Sequence, residues 1–232
     1  MISSPSLELK KFIRDNAISI GKVVDFDPAK DKLLQFNFTA GNTSLSPEIL
    51  SNTTVFSEWV NDQLSRSNCR YGIGGYNEHR TIYARSELFD AGEEPRRLHL
   101  GVDIWGPAGT PVYNPIEGKV HSFHFNDHFG DYGATIILEH QLGDVRLHTL
   151  YGHLNLSSLA GLKEGMPVVK GQEFAAFGIP EENGHWPPHL HFQLIFDMQG
   201  SKGDYPGVCR FSERDTYLQN CPDPNDILAY SF

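Results

Sequence analysis

The chain is short of cysteine, of positive charge and of long apolar runs, and each shortage removes a class of function. Its three cysteines, Cys69, Cys209 and Cys221, cannot all pair with one another, and none stands in a C-x-x-C pair. Neither a cysteine-built zinc ribbon nor a dithiol redox centre is therefore encoded. Reduced structural thiols are the expectation, with a Cys209–Cys221 bond left open because sequence does not place two sulfurs in space. Lysines and arginines number 19 against 29 aspartates and glutamates, a formal net charge of −10. That balance repels a phosphate backbone and argues against nucleic acid as a partner. No stretch approaches the roughly eighteen apolar residues a membrane span needs, so no membrane partner is expected. The opening segment, MISSPSLELKKFIRDN, lacks the apolar core of a signal peptide, and the corresponding expectation is a cytoplasmic location.

What is present describes a folded protein. With 232 residues, 39% of them hydrophobic and 12% aromatic, the chain suits one domain with an extension. Residues 1–66 read as an α-containing N-terminal extension. SLELKKFIRDN has helical spacing, LLQFNFTA alternates as a strand does, and SPEILSNTTVFSEWVNDQLSR reads as a longer helix opened by Ser46 and Pro47. Phe56, Trp59, Val60 and Leu64 recur along one side of it. From residue 67 to 232 glycines and prolines separate short alternating segments, the pattern of an antiparallel β domain. Candidate strands are 98–104, 110–113, 118–124, 133–140, 145–153, 172–177 and 189–196. The tail reads as one or two short helices, the first capped by Ser212. The fold class is therefore mainly β, an antiparallel sheet or sandwich with helices at both ends of the chain. The glycine cluster YGIGGY at 71–76 reads as a turn, since no helix with an N-terminal lysine follows it.

Three segments carry chemistry. In RRLHLGVDIWG, residues 96–106, alternation puts His99, Gly101 and Asp103 on one side. Positions i and i+4 of a straight strand lie roughly 13 Å apart, too far to share one ion. The strand must bend, and Gly101 both permits a bend and leaves space where a β-carbon would intrude. In PPHLHFQLIF, residues 187–196, Leu190, Phe192, Leu194 and Phe196 form a buried face, while His189, His191 and Gln193 form the other. In VRLHTLYGHL, residues 145–154, regular alternation sets His153 with Tyr151 and opposite to His148. His153, beside Gly152 at the strand's end, is the one expected to project into a pocket. Zinc sites that do chemistry commonly use three His, Asp or Glu ligands and keep a fourth position for water. His99, Asp103 and one of His189 and His191 would make such a set.

These residues resemble the LytM/lysostaphin-type zinc peptidases, peptidase family M23. The marks of that family are H-x-x-x-D, often H-x-G-x-D, then Y-x-H-L, then H-x-H; here HLGVD stands at 99–103, YGHL at 151–154 and HLH at 189–191. GTPVYNPIEGKV, YGATIILEH and EGMPVVKGQEFAAFG resemble the intervening family strands and turns, so the likeness covers residues 95–196. It implies His99, Asp103 and His191 as zinc ligands, and His153 and His189 as flanking catalytic histidines. It implies a zinc metallo-endopeptidase whose β core carries a groove for a peptide or muropeptide-like substrate, with loops 67–95, 125–132 and 178–188 as groove walls. Departures accompany the likeness. No export signal or wall-binding module is visible, and for the tyrosine some members place shortly before the first motif the nearest candidate, Tyr83, stands too far upstream to assign. The extension and tail resemble a branch embedded between kinase-like and aminotransferase-like domains. A cytosolic hydrolase of a small amide metabolite, or a catalytically silent module binding a peptide or wall fragment, are the competing expectations.

Overall fold

In a computed structural model, which describes residues 4–16, 20–90 and 92–230, local signals set the helices. Ser4 accepts from the Leu7 amide and Pro5 opens α1 (Pro5–Asp15), which buries Leu9. The long helix expected over 46–66 is two, α2 (Pro47–Ser51) and α3 (Thr53–Ser67). Asn52 divides them: its backbone is extended and its side chain accepts from the amides of Thr54 and Val55. A local cap competes with helix continuation, and here the cap prevails. Phe56, Val60 and Leu64 form the buried stripe of α3.

Before and after these helices the chain forms β1 (Leu33–Phe36) and β2 (Tyr71–Gly74). The remaining strands are β3 (Leu98–His99), β4 (Val102–Trp105), β5 (Pro111–Tyr113), β6 (Gly118–Asn126), β7 (Gly133–Leu142), β8 (Val145–Leu154), β9 (Pro167–Val168), β10 (Glu173–Ala176), β11 (His189–Ile195) and β12 (Val208–Cys209). The main sheet runs β1-β2-β4-β11-β8-β7-β6-β9, and β5–β10 and β3–β12 form two small pairs. All pairs are antiparallel except β1 with β2, which lie parallel. The sheet is therefore mixed rather than wholly antiparallel, because α2 and α3 supply the crossover a parallel pair requires.

The YGIGGY segment is strand, not turn, over residues 71–74. Its glycines answer crowding: a β-carbon on Gly72 would lie 2.0 Å from the Phe36 ring, and one on Gly74 2.6 Å from the Arg80 guanidinium.

One face of the sheet buries Ile104, Ile136, Leu138, Leu147, Tyr151, Leu190, Phe192 and Leu194 together with Leu9, Val23 and Val24 from the N-terminal part. A second cluster joins Leu98, Leu100, Ile137, Leu150 and Ile195 to the C-terminal residues Tyr205, Cys209 and Cys221. A third, aromatic cluster packs Phe36, Phe38 and Phe56 against Trp105 and Trp186. The extension is thus packed into the same cores as the strands. In the tail, α4 (Arg214–Asn220) follows a short 3-10 turn and α5 (Asn225–Leu228) comes after it. Ser212 does not cap α4, because its hydroxyl is drawn to Glu94. All three cysteines are free thiols.

Candidate metal centre

Register and one bend bring the centre together. His191 on β11 stands directly opposite Asp103 on β4, so the two side chains share a face as cross-strand neighbours. The candidate strand 98–104 is broken after His99, and β3 leaves the sheet to pair with β12. That bend closes the distance a straight strand would impose. His99 Nε2 lies 3.3 Å from Asp103 Oδ1 and 3.0 Å from His191 Nδ1, and His191 Nδ1 lies 3.1 Å from Asp103 Oδ1. Gly101 makes the approach possible: a β-carbon there would stand 2.6 Å from the His191 ring. Gly101→Ala is therefore expected to lower stability by about 1–3 kcal/mol through overpacking against a rigid ring. Denaturant melts of the two proteins check this, and superimposable curves would refute it.

These three atoms fit a zinc ion. Donors about 2.0–2.1 Å from zinc stand about 3.3 Å apart in a tetrahedron, close to the observed triangle. The remaining ring nitrogens fix the tautomers. His99 Nδ1 is 2.9 Å from the Gly75 carbonyl, which can only accept, so the proton sits on Nδ1 and Nε2 is a bare donor. His191 Nε2 is 2.9 Å from Gln193 Oε1, so Nδ1 is bare when Nε2 donates to that oxygen. Among the described residues these are the only three His, Cys, Asp or Glu side chains grouped closely enough to hold an ion. All three are buried. Burial, with Arg80 adding to it, drives the His99 imidazole down to about 4. For Asp103, burial alone would raise the pKa, but His99 and Arg80 outweigh it and hold the carboxyl well below its usual range. A neutral imidazole and an ionised carboxylate are the forms a metal requires.

His153 and His189 flank this triangle. The His153 backbone is left-handed, with φ of 63°, and the β7–β8 register shifts between Ala134 and Ile136. The regular alternation that grouped His153 with Tyr151 therefore fails at the strand's end. Tyr151 points into the main core, while the His153 ring lies 4.1 Å from that of His189 and 6.3 Å from that of His191. His153 Nδ1 bonds the Asn183 carbonyl at 2.8 Å and His189 Nδ1 the Pro187 carbonyl at 2.7 Å, which leaves each Nε2 as an acceptor. His189 stacks flat on Trp105 at 3.9 Å. Burial lowers His189 to about 4, and burial with the neighbouring His189 lowers His153 well below the ordinary value. Both are neutral bases.

His121, His140 and His148, which no motif marks, have partners away from the centre. His140 bonds Thr149 and the Glu117 carbonyl, and His148 meets His121 ring to ring. Four residues not singled out as site candidates do belong to its surroundings. Gln193 follows from the same alternation as His189 and His191. Tyr132 places its hydroxyl 3.4 Å from His191 Nε2. Tyr83, far upstream in sequence, lies in the pocket wall, and Arg80, which no motif marks, bonds Asp103. The pocket over the centre is a cavity of about 130 Å³. Its walls draw on the three expected loops, through Tyr83, Phe89, Tyr132 and Trp186, and also on Asp204–Val208 from beyond β11.

Residues 97–203 match the family described as Peptidase family M23. The chain is 34% identical over 131 residues to the DD-carboxypeptidase/endopeptidase Mpg of Neisseria meningitidis serogroup B, covering 54% of this chain and 28% of that protein. It is 33% identical over 126 residues to the L-Ala–D-Glu endopeptidase of Bacillus subtilis, covering 51% of this chain and 36% of that protein. The chain thus spans about a third or less of the length of these relatives. A zinc-containing peptidase from Vibrio cholerae is 33% identical over 42% of this chain and 27% of its own, with a TM-score of 0.34.

Proposed function

We propose that the chain, whose residues 97–203 match peptidase family M23, is a zinc-dependent metallopeptidase that hydrolyses a peptide-like amide. The observation that carries the proposal is the triangle of bare donor atoms, His99 Nε2, Asp103 Oδ1 and His191 Nδ1, with edges of 3.0–3.3 Å. These three residues would hold the ion. When bound, zinc supplies Lewis acidity, polarising a carbonyl oxygen and lowering the pKa of water to about 7.

The chain's own groups do the rest. His153 and His189 are neutral, and each presents an unprotonated Nε2 on the side away from its carbonyl partner. One accepts the proton of the attacking water on Nε2 and, protonated by that step, delivers it to the departing amine, while the other accepts a hydrogen bond from the water and holds it in place, tasks suited to fixed imidazoles. Two rings 4.1 Å apart can serve one scissile bond. The Asn183 and Pro187 carbonyls fix their tautomers, and Trp105 fixes the plane of His189. Tyr83, Phe89, Tyr132 and Trp186 line the cavity in which the amide would lie.

A relative named L-Ala–D-Glu endopeptidase supports a muropeptide-like peptide as the first substrate to test. A second reading, a soluble short peptide or small amide metabolite, draws on the cavity of about 130 Å³, below the roughly 300–1,000 Å³ of typical ligand pockets. The net charge of −10 also disfavours approach to a polyanionic wall. The test is zinc-replete protein incubated at equal ionic strength with purified sacculi, soluble muropeptides and short peptides, with product amines quantified. Release from muropeptides or peptides at rates equal to or above sacculi is expected. Faster sacculus digestion returns the wall to first place, and binding without turnover on any amide leaves the silent module. Cytoplasmic residence is part of the same proposal and is checked by fractionating the source cells.

A further inference from the structure

One residue at the centre comes from outside the family-matched segment. Arg80 is 0% exposed, and its guanidinium reaches four acceptors. Nε donates to Glu78 Oε2 at 2.7 Å, Nη1 to Asp103 Oδ2 at 2.5 Å and to the Tyr83 hydroxyl at 3.2 Å, and Nη2 to the Gly75 carbonyl at 3.3 Å. Phe38 covers its face, with the ring centroid 5.3 Å away. Burying a guanidinium carries a desolvation penalty that an apolar side chain of similar size avoids, so its presence calls for a reason beyond packing.

The reason lies in how Asp103 divides its oxygens. Oδ1 faces His191 and His99 at 3.1 and 3.3 Å, while Oδ2 is taken by Arg80. The Gly75 carbonyl accepts from both Arg80 and His99 Nδ1, so one peptide group positions a ligand ring and the arginine together. We propose that Arg80 is a positioning residue of the zinc centre, holding Oδ2 so that Asp103 offers a single oxygen to the ion. This rests on reading His99, Asp103 and His191 as the zinc site. A carboxylate released from Arg80 can turn and offer both oxygens, crowding the position a hydrolytic site keeps open. Lysine is not equivalent: it restores a point charge without the planar fork.

The test compares wild type, Arg80→Met and Arg80→Lys by two readouts besides activity. Zinc affinity is measured by competition with a chromophoric chelator, and the d–d absorption of the cobalt(II)-loaded protein reports the ligand arrangement. Far- and near-UV circular dichroism establishes that each variant is folded. Arg80→Met is expected to bind zinc about 10- to 100-fold more weakly, the range for losing a partner that orients a ligand, and to change the intensity of the cobalt bands. Arg80→Lys is expected to regain part of the affinity while keeping the altered spectrum. A folded Arg80→Met with wild-type zinc affinity and wild-type cobalt bands overturns the proposal; should it not fold, Arg80→Lys with both values unchanged does the same. A wild-type protein that takes up neither metal overturns the peptidase reading instead, so the two failures are told apart.

Discussion

His99→Ala, His191→Ala and Asp103→Asn are each expected to purify almost free of zinc under conditions where the wild-type chain holds one ion. Apparent zinc-binding free energies of about 10–16 kcal/mol, shared among three or four donors, put one donor at about 2.5–5 kcal/mol, a factor of about 70 or more in affinity. The aspartate variant is asparagine for a physical reason. Asp103→Ala would take from the buried Arg80 guanidinium one of its two carboxylate partners, leaving Glu78 alone, and breaking a buried ion pair from one side costs up to about 3–5 kcal/mol. Misfolding would then be mistaken for ligand loss. An asparagine oxygen can still accept from Arg80, so the shape of the site persists while its anionic donor is gone. Elemental analysis after metal-replete expression, with circular dichroism to establish folding, reads the result. Folded variants carrying a full equivalent of zinc would remove these residues from the centre.

Much of this centre could be read in the chain because strand alternation is a strict rule. His189, His191 and Gln193 had to share a face once Leu190, Phe192 and Leu194 were assigned to the core. The distance between His99 and Asp103 on a straight strand demanded a bend, and the only residue between them without a side chain, Gly101, stands where the His191 ring comes within 2.6 Å of a hypothetical β-carbon. Alternation also shows where the reading fails. At the end of β8 a left-handed residue and a register shift reverse the side on which His153 emerges, and no local pattern announces either. The YGIGGY glycines look like a turn because the chain alone does not reveal that Phe36 and Arg80 come to lie against them. Arg80 itself is invisible for the same reason, since its partner Asp103 is 23 positions away and the two meet only through the antiparallel pairing of β2 with β4. The break at Asn52 is not legible in the chain, because the segment keeps helical composition on both sides of it and the cap wins over helix continuation only once the side chain accepts from Thr54 and Val55.

His153→Asn and His189→Phe are expected to keep their zinc and lose at least about a hundredfold in kcat, the scale of a positioned acid or base. The substitutions are chosen to remove a nitrogen and little else. Asparagine tolerates the left-handed backbone at position 153 better than most residues, so the turn that brings β8 to the pocket is retained. Phenylalanine at 189 preserves the flat stacking on Trp105 that holds the ring at 3.9 Å, while offering no site for a proton. If the two histidines act on one scissile bond, the double variant should be little slower than the slower single variant, because groups that work as a unit do not contribute additively. KM should change far less than kcat, since neither ring is asked to bind the substrate in its ground state. Steady-state kinetics on a soluble muropeptide or peptide, with zinc content measured on the same samples, separates chemistry from metal loss. Turnover within a few-fold of wild type in both zinc-loaded variants would take the pair out of the mechanism and leave proton transfer to solvent or to Tyr83 and Tyr132, which line the same cavity.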